Sequence, residues 1–430
     1  MQFQCLIDRF IGIGCSRRPA VRNLSAGLLV TILSAAAWPC RAADAPRWPE
    51  EATASFPAIT GHSPFFLLNP NRTVASFDEA ESVPIGDGTP MPNNQNEHPP
   101  HYFVPKPVRG LSGVVGLSAS DMHAVALLAD GTVKAWGRHC PALGREVPPE
   151  IVNSPQTVDG MARVVKVIAG DDFTAVVSPS GQVAVWGDSS NGRMGIGQYR
   201  EIWKAGQGVC SRPKLLPLRG VTQLVGENHQ HMLALLQDGR VAAFGDNRET
   251  GVLGDGTELE RLSPVLVSNL SDIVEVATGG TRSYALGRDG RVWQWGKELS
   301  PTPVQVKGLG KAVAIWAAGA YAFARLEDGS FWGWGEGYGG VLCSGKFDKV
   351  YEKPIKTLLT GPIAAMYATQ RGVFAWRPDG TLIGCGQHGF NVPNAPRKGH
   401  SMVPEPLLKW TAPDRYEFAV RTSTAPAPRR

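Results

Sequence analysis

The sequence predicts an all-β fold built from seven repeated units, each a small blade of antiparallel strands. Three observations lead to this prediction. A hairpin with an Asp-Gly turn recurs along the chain, the copies lie about 50 residues apart, and no segment between them has the hydrophobic period of a helix. Repeats bury their apolar faces against one another, so the array counts as one body.

The repeating hairpin is clearest from Val125 to Gly137, which reads VALLADGTVKAWG. Two β-prone segments flank Asp130-Gly131, and glycine accepts the positive φ that tight hairpin turns require. The same pattern ends again at Gly187, Gly245, Gly296, Gly335 and Gly386.

The turn glycines give the spacing of the units. They are Gly131, Gly181, Gly239, Gly290, Gly329 and Gly380, and successive ones lie 50, 58, 51, 39 and 51 residues apart. A worn copy upstream has Asn71-Arg72 in the turn and Phe77 in the tryptophan position. Counting this copy predicts seven units.

Further strands complete each unit. Lead-in segments such as LSASDMHAVAL begin with small residues, which suit strands packed close to a crowded axis. Glycine-spaced loops, for example Trp186 to Gly197 and Phe244 to Gly256, follow the hairpins, and a proline-bearing stretch begins the next unit. Three or four short strands per unit are typical of propeller blades and not of a helical solenoid.

The order of these elements resembles the repeat of the regulator of chromosome condensation (RCC1) family. That order is G-x-x-[H or aromatic], an apolar run, D-G-x-V-x-x-W-G and a G-x-x-G-x-G loop, and it covers roughly residues 58 to 390. The resemblance implies a seven-bladed β-propeller. The first unit departs from the pattern by lacking Asp-Gly, and the last lacks the tryptophan and a clear glycine loop.

The first 42 residues are typical of a secretory signal peptide. Four arginines up to Arg22 precede the run LSAGLLVTILSAAAW, and Cys40-Arg41-Ala42 offers a cleavage site. The run is short for a membrane span, with an uncleaved anchor, twin-arginine export and a lipid-modified Cys40 as alternatives. We expect an exported protein, periplasmic or extracellular, similar to secreted bacterial members of the family.

Three regions are therefore expected: a signal peptide over 1–42, a propeller over 46–410, and a closing strand with a disordered tail over 411–430. Propeller rings usually close by sharing one blade between the chain ends. The stretch Trp48 to Ile59 and the C-terminal pair LLKW and RYEFAV are the two candidates for closure. The insert 81–103 is rich in proline and asparagine, which predicts a loop.

The mature chain is close to electrically neutral. Without the leader, 38 of the 43 basic and 37 of the 38 acidic residues remain. No basic stripe offers a footprint for nucleic acid, so we expect no nucleic-acid partner. We also expect a monomer without a stable membrane span after cleavage.

Four cysteines remain once the leader is removed: Cys140, Cys210, Cys343 and Cys385. An even number agrees with an oxidising compartment and allows three pairings. Cys385 takes a tryptophan position on a strand, and we interpret it as a small buried hydrophobe. The other three follow hairpins, where a disulfide between neighbouring loops is an open alternative.

Motifs of catalysis or metal binding are missing from the sequence. It has no G-x-S-x-G, H-E-x-x-H, phosphate-binding or EF-hand pattern. We therefore predict no enzyme, no metal and no cofactor. His229 and His231 share a strand face, as metal ligands sometimes do, but His231 holds a repeat position also taken by His123 and Tyr321. We interpret it as a packing or hydrogen-bonding residue within its blade, and His98 and His101 as solvated loop residues.

The turn aspartates and repeated tryptophans are also interpreted as structural. An Asp before a turn glycine can accept hydrogen bonds from its own backbone. The recurring tryptophans, which predict packing between blades, are Trp136, Trp186, Trp295 and Trp334. Trp293, Trp316 and Trp332 fall outside that position, which leaves two interpretations: core packing, or an aromatic platform for a ligand or partner.

Function is predicted from architecture, because broad loop faces on a rigid ring suit the binding of another macromolecule. We predict an exported protein-binding propeller, acting as an interaction scaffold or inhibitor-like module. The partner-binding residues that we select lie in the larger loops: Arg193, Tyr199, Trp203, Arg248, Glu249 and Tyr338. Two alternatives stay open. The resemblance implies guanine-nucleotide exchange on a small GTPase, and an envelope glycan or peptide hydrolase would need acids or histidines clustered at the ring centre.

Overall fold

The computed structural model describes residues 58–61, 65–79, 86–88, 101–120, 122–137, 143–144, 152–161, 163–170, 173–189, 192–197, 213–226, 231–347, 349–387, 400–412 and 415–418. All of these belong to one compact unit, Trp48–Arg430. The predicted signal peptide and C-terminal tail lie outside the described residues. Among those described, no helical segment has the length and apolar character needed to cross a membrane.

Seven antiparallel sheets, numbered here as blades 1 to 7, are built from strands consecutive in sequence. Blade 1 contains β1 (Ala58–Gly61), β2 (Phe65–Leu68), β3 (Val74–Glu79) and β4 (His101–Pro107). Blade 2 contains β5 (Val114–Ala119), β6 (His123–Leu128), β7 (Val133–Gly137) and β8 (Val152–Thr157). Blade 3 contains β9 (Lys166–Ala169), β10 (Phe173–Val177), β11 (Val183–Gly187) and β12 (Lys214–Leu215).

The second half of the ring follows the same order. Blade 4 contains β13 (Val221–Val225), β14 (His231–Leu236), β15 (Val241–Gly245) and β16 (Arg261–Leu266). Blade 5 contains β17 (Ile273–Thr278), β18 (Arg282–Gly287), β19 (Val292–Gly296) and β20 (Ser300–Gln305). Blade 6 contains β21 (Ala312–Ala318), β22 (Tyr321–Leu326), β23 (Phe331–Glu336) and β24 (Val350–Lys356). Blade 7 contains β25 (Ala365–Ala368), β26 (Gly372–Trp376), β27 (Thr381–Gln387), β28 (His400–Ala412) and β29 (Arg415–Phe418).

The predicted seven-bladed propeller is thus confirmed. One detail differs in blade 1, where the last three residues of the predicted loop 81–103 belong to β4, because the backbone of His101 to Phe103 pairs with β3.

The Asp-Gly turns form the predicted hairpins. At the first of them Gly131 has φ 87°, and the Asp130 carboxylate accepts the Thr132 N–H at 2.9 Å. The other turn aspartates accept the equivalent N–H in the same way: Asp238, Asp289, Asp328 and Asp379. In the worn copy, Arg72 takes the place of the turn glycine and has φ 65°. Phe77 pairs with Phe65, which is the same register as the pairing of Trp136 with Ala124. The structural interpretation of these aspartates is confirmed.

Several of the repeated aromatic residues pack against a loop of the preceding blade, whereas the Trp334 indole donates to Gln294 on a strand of blade 5 at 2.9 Å. A Cβ added to Gly144, Gly195 or Gly254 would lie 2.7 Å from the ring of Trp186, Phe244 or Trp295, respectively. The indole N–H of Trp295 also donates to the Val252 carbonyl at 2.7 Å. Glycine in the G-x-x-G-x-G loop is therefore required by the approach of the aromatic ring.

The first strand of each sheet lies nearest the axis, where β1 contacts β5 and β25, and β17 contacts β13 and β21. No backbone hydrogen-bond ladder joins the described first strands of neighbouring blades. Instead, a side chain on one first strand accepts a backbone N–H of the first strand in the next blade. The acceptor and donor pairs are Thr60 and Ala119, Ser118 and Ala169, Gln223 and Val276, and Glu275 and Ile315, at 2.8 to 3.3 Å.

The ring closes by side-chain packing among the described residues. Phe65 of blade 1 meets Phe374 of blade 7 edge to face, with ring centroids 5.2 Å apart. Both belong to one buried cluster with Trp376 and Leu408. The described residues show no exchange of strands between the chain ends, since β1 pairs with β2 and the C-terminal β29 extends the outer edge of blade 7. Residues 48–57 of the first closure candidate lie outside the described residues.

Candidate interaction surface

The predicted partner-binding residues occupy different environments. Arg193 lies in the loop after β11 and is only 9% exposed, so burial among neighbouring loop residues disfavours direct partner contact. Tyr199 and Trp203 lie outside the described residues. Arg248 and Glu249 are exposed in the loop after β15, and Tyr338 is exposed in the loop after β23.

The loop after β15 is held by its own polar groups. Asn247 is buried, donates to the carbonyls of Thr257 and Leu259, and accepts the Leu253 N–H at 3.0 Å. Arg248 forms an ion pair with Asp246 at 2.9 Å. Burial alone would raise the pKa of Asp246, but the side-chain and backbone hydrogen bonds from Arg248 outweigh it and lower the pKa. The charge of Arg248 is therefore already paired with Asp246 within the same loop.

A second surface lies at the junction of blades 6 and 7. Its apolar side chains are each 39 to 54% exposed, and we name the set the junction patch: Tyr338, Phe347, Val350, Met402 and Val403. Sequence reasoning selected Tyr338 alone. Isolated apolar residues in the loop and in β28 carried no periodic signal, and only folding places these segments together.

Backbone contacts bring the two segments of the junction patch side by side. The Gly345 N–H donates to the Met402 carbonyl at 2.9 Å, and the Gly340 N–H donates to the Phe347 carbonyl at 3.2 Å. A Cβ added to Gly340 would lie 2.9 Å from the Met402 Cα, so glycine allows the close approach. The patch therefore rests on a defined backbone.

Basic side chains border the junction patch. Lys346 and Lys349 are exposed on either side of Phe347, and the Lys349 ammonium lies 4.9 Å from the ring centroid of Tyr351. The exposed Glu352 on β24 contributes an opposite charge nearby in sequence. The border therefore carries both positive and negative charges, as is typical of the polar rim of protein interfaces.

A disulfide joins Cys343 to Cys385 beneath this surface. Both residues are fully buried, and the bond ties the loop after β23 of blade 6 to β27 of blade 7. The interpretation of Cys385 as an unbonded hydrophobe is wrong, because the loop places Cys343 directly opposite it. Cys140 and Cys210 lie outside the described residues.

The histidines of the repeat position are hydrogen-bonded between blades. His231 Nε2 lies 2.9 Å from Ser283 Oγ, whose hydroxyl donates to the Val252 carbonyl, so the imidazole N–H donates to Ser283. His123 Nε2 lies 2.8 Å from Thr174 Oγ1 of the next blade. The predicted hydrogen-bonding role is confirmed and extends to the next blade, while His123 Nδ1 also lies 3.3 Å from Ser120 Oγ in its own blade. His229, His98 and the side chain of His101 are outside the described part.

Groups suited to metal binding are not found in the described residues, where no cluster of three His, Cys, Asp or Glu side chains occurs. The three additional tryptophans belong to three different side-chain clusters. Trp293 packs in the core between blades 4 and 5, Trp332 in the core between blades 5 and 6, and Trp316 beside Phe331 in a third cluster. A single platform of all three is therefore excluded.

Known proteins share both the repeat and the fold. Residues 238–286 match the model of the "Regulator of chromosome condensation (RCC1) repeat". The chain is 29% identical over 209 residues to Protein pim1 of Schizosaccharomyces pombe, covering 44% of this chain and 37% of pim1. It is 30% identical over 213 residues to human E3 ubiquitin-protein ligase HERC2, covering 45% of this chain and 4% of HERC2. The matched part thus spans less than half of each relative.

Solved structures of similar architecture cover most of the chain. Human WBSCR16 matches with a TM-score of 0.65 and 20% identity, over 78% of this chain and 94% of that one. Prp20p of Saccharomyces cerevisiae matches with a TM-score of 0.64 and 18% identity, over 83% and 87%. The repeat match and the seven consecutive four- and five-stranded sheets agree, and the chain is a seven-bladed β-propeller similar to those of the RCC1 type.

Proposed function

We propose that this chain is an exported protein-binding propeller, an interaction scaffold or inhibitor-like module whose contact surface includes the junction patch. One observation carries the proposal. Five apolar side chains, each at least 39% exposed, lie on two segments that touch through a backbone hydrogen bond. Grouped exposed apolar residues with a polar border mark interaction sites more often than scattered ones do.

The support beneath the patch favours binding without large rearrangement. The disulfide, the backbone bonds within residues 336–350 and the hydrogen bond from Gly345 to Met402 fix the two segments. A surface that is ordered before binding loses less conformational entropy on association.

Export is supported by two features of the chain. The first 42 residues have the pattern of a signal peptide, and a disulfide spans two blades, which suits an oxidising compartment. Fractionation with alkylation of free thiols before any reduction tests this. We expect the protein outside the cytosol with Cys343 and Cys385 protected, and a cytosolic protein with both thiols alkylated would contradict export.

Structurally similar proteins bind other proteins. The structure of Prp20p was described together with its binding to Gsp1p and histones, and another structure holds it bound to Kap60. These partners belong to Prp20p, and they support a general binding role for this fold.

Substitution of the junction patch tests the binding proposal. The variant Tyr338→Ser, Phe347→Ser, Met402→Ser should lose a partner that the wild-type protein captures from its native envelope, with an unchanged melting temperature. The matched control Leu259→Ser, Leu266→Ser removes exposed apolar groups elsewhere and should keep the partner. Adding Arg248→Ala, Glu249→Ala tests the loop after β15. Retained capture by the patch variant would refute the patch as the contact surface.

A second candidate is guanine-nucleotide exchange on a small GTPase, favoured by the fold similarity to Prp20p and its described binding to Gsp1p. Release of fluorescent GDP from a purified small GTPase measures this activity. Acceleration by the chain would support exchange and replace the scaffold proposal. The hydrolase alternative gains no support from the described residues that line a small cavity on the propeller axis, since Glu275 is the single acidic one among them.

A further inference from the structure

A cavity of about 90 Å³ lies on the propeller axis. Its described lining comes from first strands of six blades, including β1, β17, β21 and β25. The cavity is separate from the junction patch, since no residue of the patch lines it.

The strand registers define one layer of residues around the axis. Each member lies on the first strand of its blade. Its partner on the second strand is the residue two positions after the one that corresponds to His231. The members are Thr60, Ser118, Ile168, Val225, Ala277, Trp316 and Tyr367. The two aromatic residues are neighbours in blades 6 and 7. Five smaller side chains complete the layer, and this asymmetry leaves space opposite the aromatic pair.

Glu275 supplies the charge of the cavity wall. It lies two residues before Ala277 on β17, which places both side chains on the same strand face. One carboxylate oxygen accepts the Ile315 N–H at 3.3 Å. Glu275 is the single charged residue among the described residues that line the cavity.

Tyr367 adds a polar group to the same wall. It is 5% exposed, and its hydroxyl has no hydrogen-bond partner among the residues that the structure describes. Burial raises the pKa of Tyr367, so the phenol stays neutral. The wall therefore joins a carboxylate, a phenol oxygen and the half-buried ring of Trp316.

We propose that the axial cavity binds a compact organic cation, with an alkylammonium head group as its ligand class. Aromatic rings beside a carboxylate attract organic cations through the ring quadrupole and the opposite charge. The cavity is small, at about 90 Å³, which suits a compact ligand. Pockets for drug-sized ligands are larger, roughly 300–1,000 Å³.

Two substitutions isolate the charge and the ring. Glu275→Gln removes the charge and keeps an oxygen acceptor for the Ile315 N–H. Gln223 shows that the exchange is compatible with the fold, because it holds the equivalent position in blade 4 and accepts the Val276 N–H at 2.8 Å. Trp316→Leu removes the ring, and Trp332→Leu is the control for loss of a half-buried tryptophan away from the cavity.

Calorimetric titration of the mature chain compares choline with 3,3-dimethylbutan-1-ol, which has the same shape and no charge. We expect choline to bind at least about tenfold more tightly, since cation–π attraction is strongest in desolvated sites. Glu275→Gln and Trp316→Leu should each weaken choline binding about tenfold, while Trp332→Leu should not.

Three results would overturn the proposal: no choline binding by the folded wild-type chain, equal binding of the uncharged analogue, or unchanged choline binding in Glu275→Gln. If Trp316→Leu fails to fold, Glu275→Gln alone decides. The outcome is independent of the junction patch, because partner capture and choline binding are measured separately.

Discussion

Cys343 and Cys385 are bonded at the place where neighbouring blades elsewhere set a glycine against an aromatic ring. Cys343 holds the loop position of Gly195 and Gly254, with φ 50° and the equivalent N–H bond to the Gly340 carbonyl at 3.0 Å. Cys385 pairs with Val373 in the register in which Trp295 pairs with Ser283. A covalent bond therefore replaces the aromatic contact between blades 6 and 7.

A variant with glycine and tryptophan in place of the two cysteines tests whether the disulfide stands where a glycine normally meets an aromatic ring. Cys343→Gly with Cys385→Trp should fold, and its melting temperature should not respond to reductant. Glycine also suits the positive φ at position 343. The wild type should lose about 4 kcal/mol on reduction, since the bond closes a loop with a sequence separation of 42 residues. Thermal unfolding with and without dithiothreitol measures both, and equal responses of the two proteins would contradict the replacement.

Gly254 is predicted to be constrained by Trp295 as well as by its backbone. Gly254→Ala should cost about 1–3 kcal/mol more than Gly308→Ala in urea unfolding. Both glycines have positive φ, 70° and 84°, but an added Cβ meets Trp295 Nε1 at 2.7 Å in the first case and nothing within 4 Å in the second. Gly308→Ala thus controls for backbone strain alone, and equal costs would show that the ring approach contributes nothing.

The Phe65 and Phe374 contact is predicted to hold the ring closed. Phe374→Ala should cost about 3–5 kcal/mol of unfolding free energy and raise amide exchange mainly in blades 1 and 7. Phe323→Ala removes an equally buried ring within blade 6 and serves as the control. If both variants raise exchange in the same blades, Phe374 has no special role in closure.

Asp255 is predicted to make stability fall in acid. Burial would raise its pKa, but hydrogen bonds from Thr257 and Arg261 outweigh this effect and lower it. A lowered folded pKa gives stability that is present above the unfolded value, about 3.9, and is lost as pH falls through the folded pKa. Asp255→Asn should be less stable at pH 7 and should lose less between pH 5 and pH 2.

Urea unfolding at several pH values in that interval checks this dependence. Glu258→Gln, an exposed carboxylate of the same loop, is the control and should follow the wild type. An Asp255→Asn profile parallel to the wild type would mean that the Arg261 pair adds no pH dependence.

The repeat pattern was readable because local chemistry dictates it. Asp-Gly turns, alternating apolar strands and glycine loops each act within about ten residues, so the hairpins, the worn copy at Asn71-Arg72 and the blade count followed from the printed sequence. The structural interpretation of the turn aspartates followed for the same reason.

Contacts between distant segments were decided by the tertiary structure. Four features depend on which blades become neighbours and how far each loop reaches. They are the bond of Cys343 to Cys385, the burial of Arg193, the junction patch, and the places of Trp316 and Tyr367 in the axial layer of adjacent blades. The contact of Phe65 with Phe374, which links blades 1 and 7, belongs to this group. Local propensity fixes strands and turns, but side-chain packing across residues far apart in sequence selects which surfaces stay exposed.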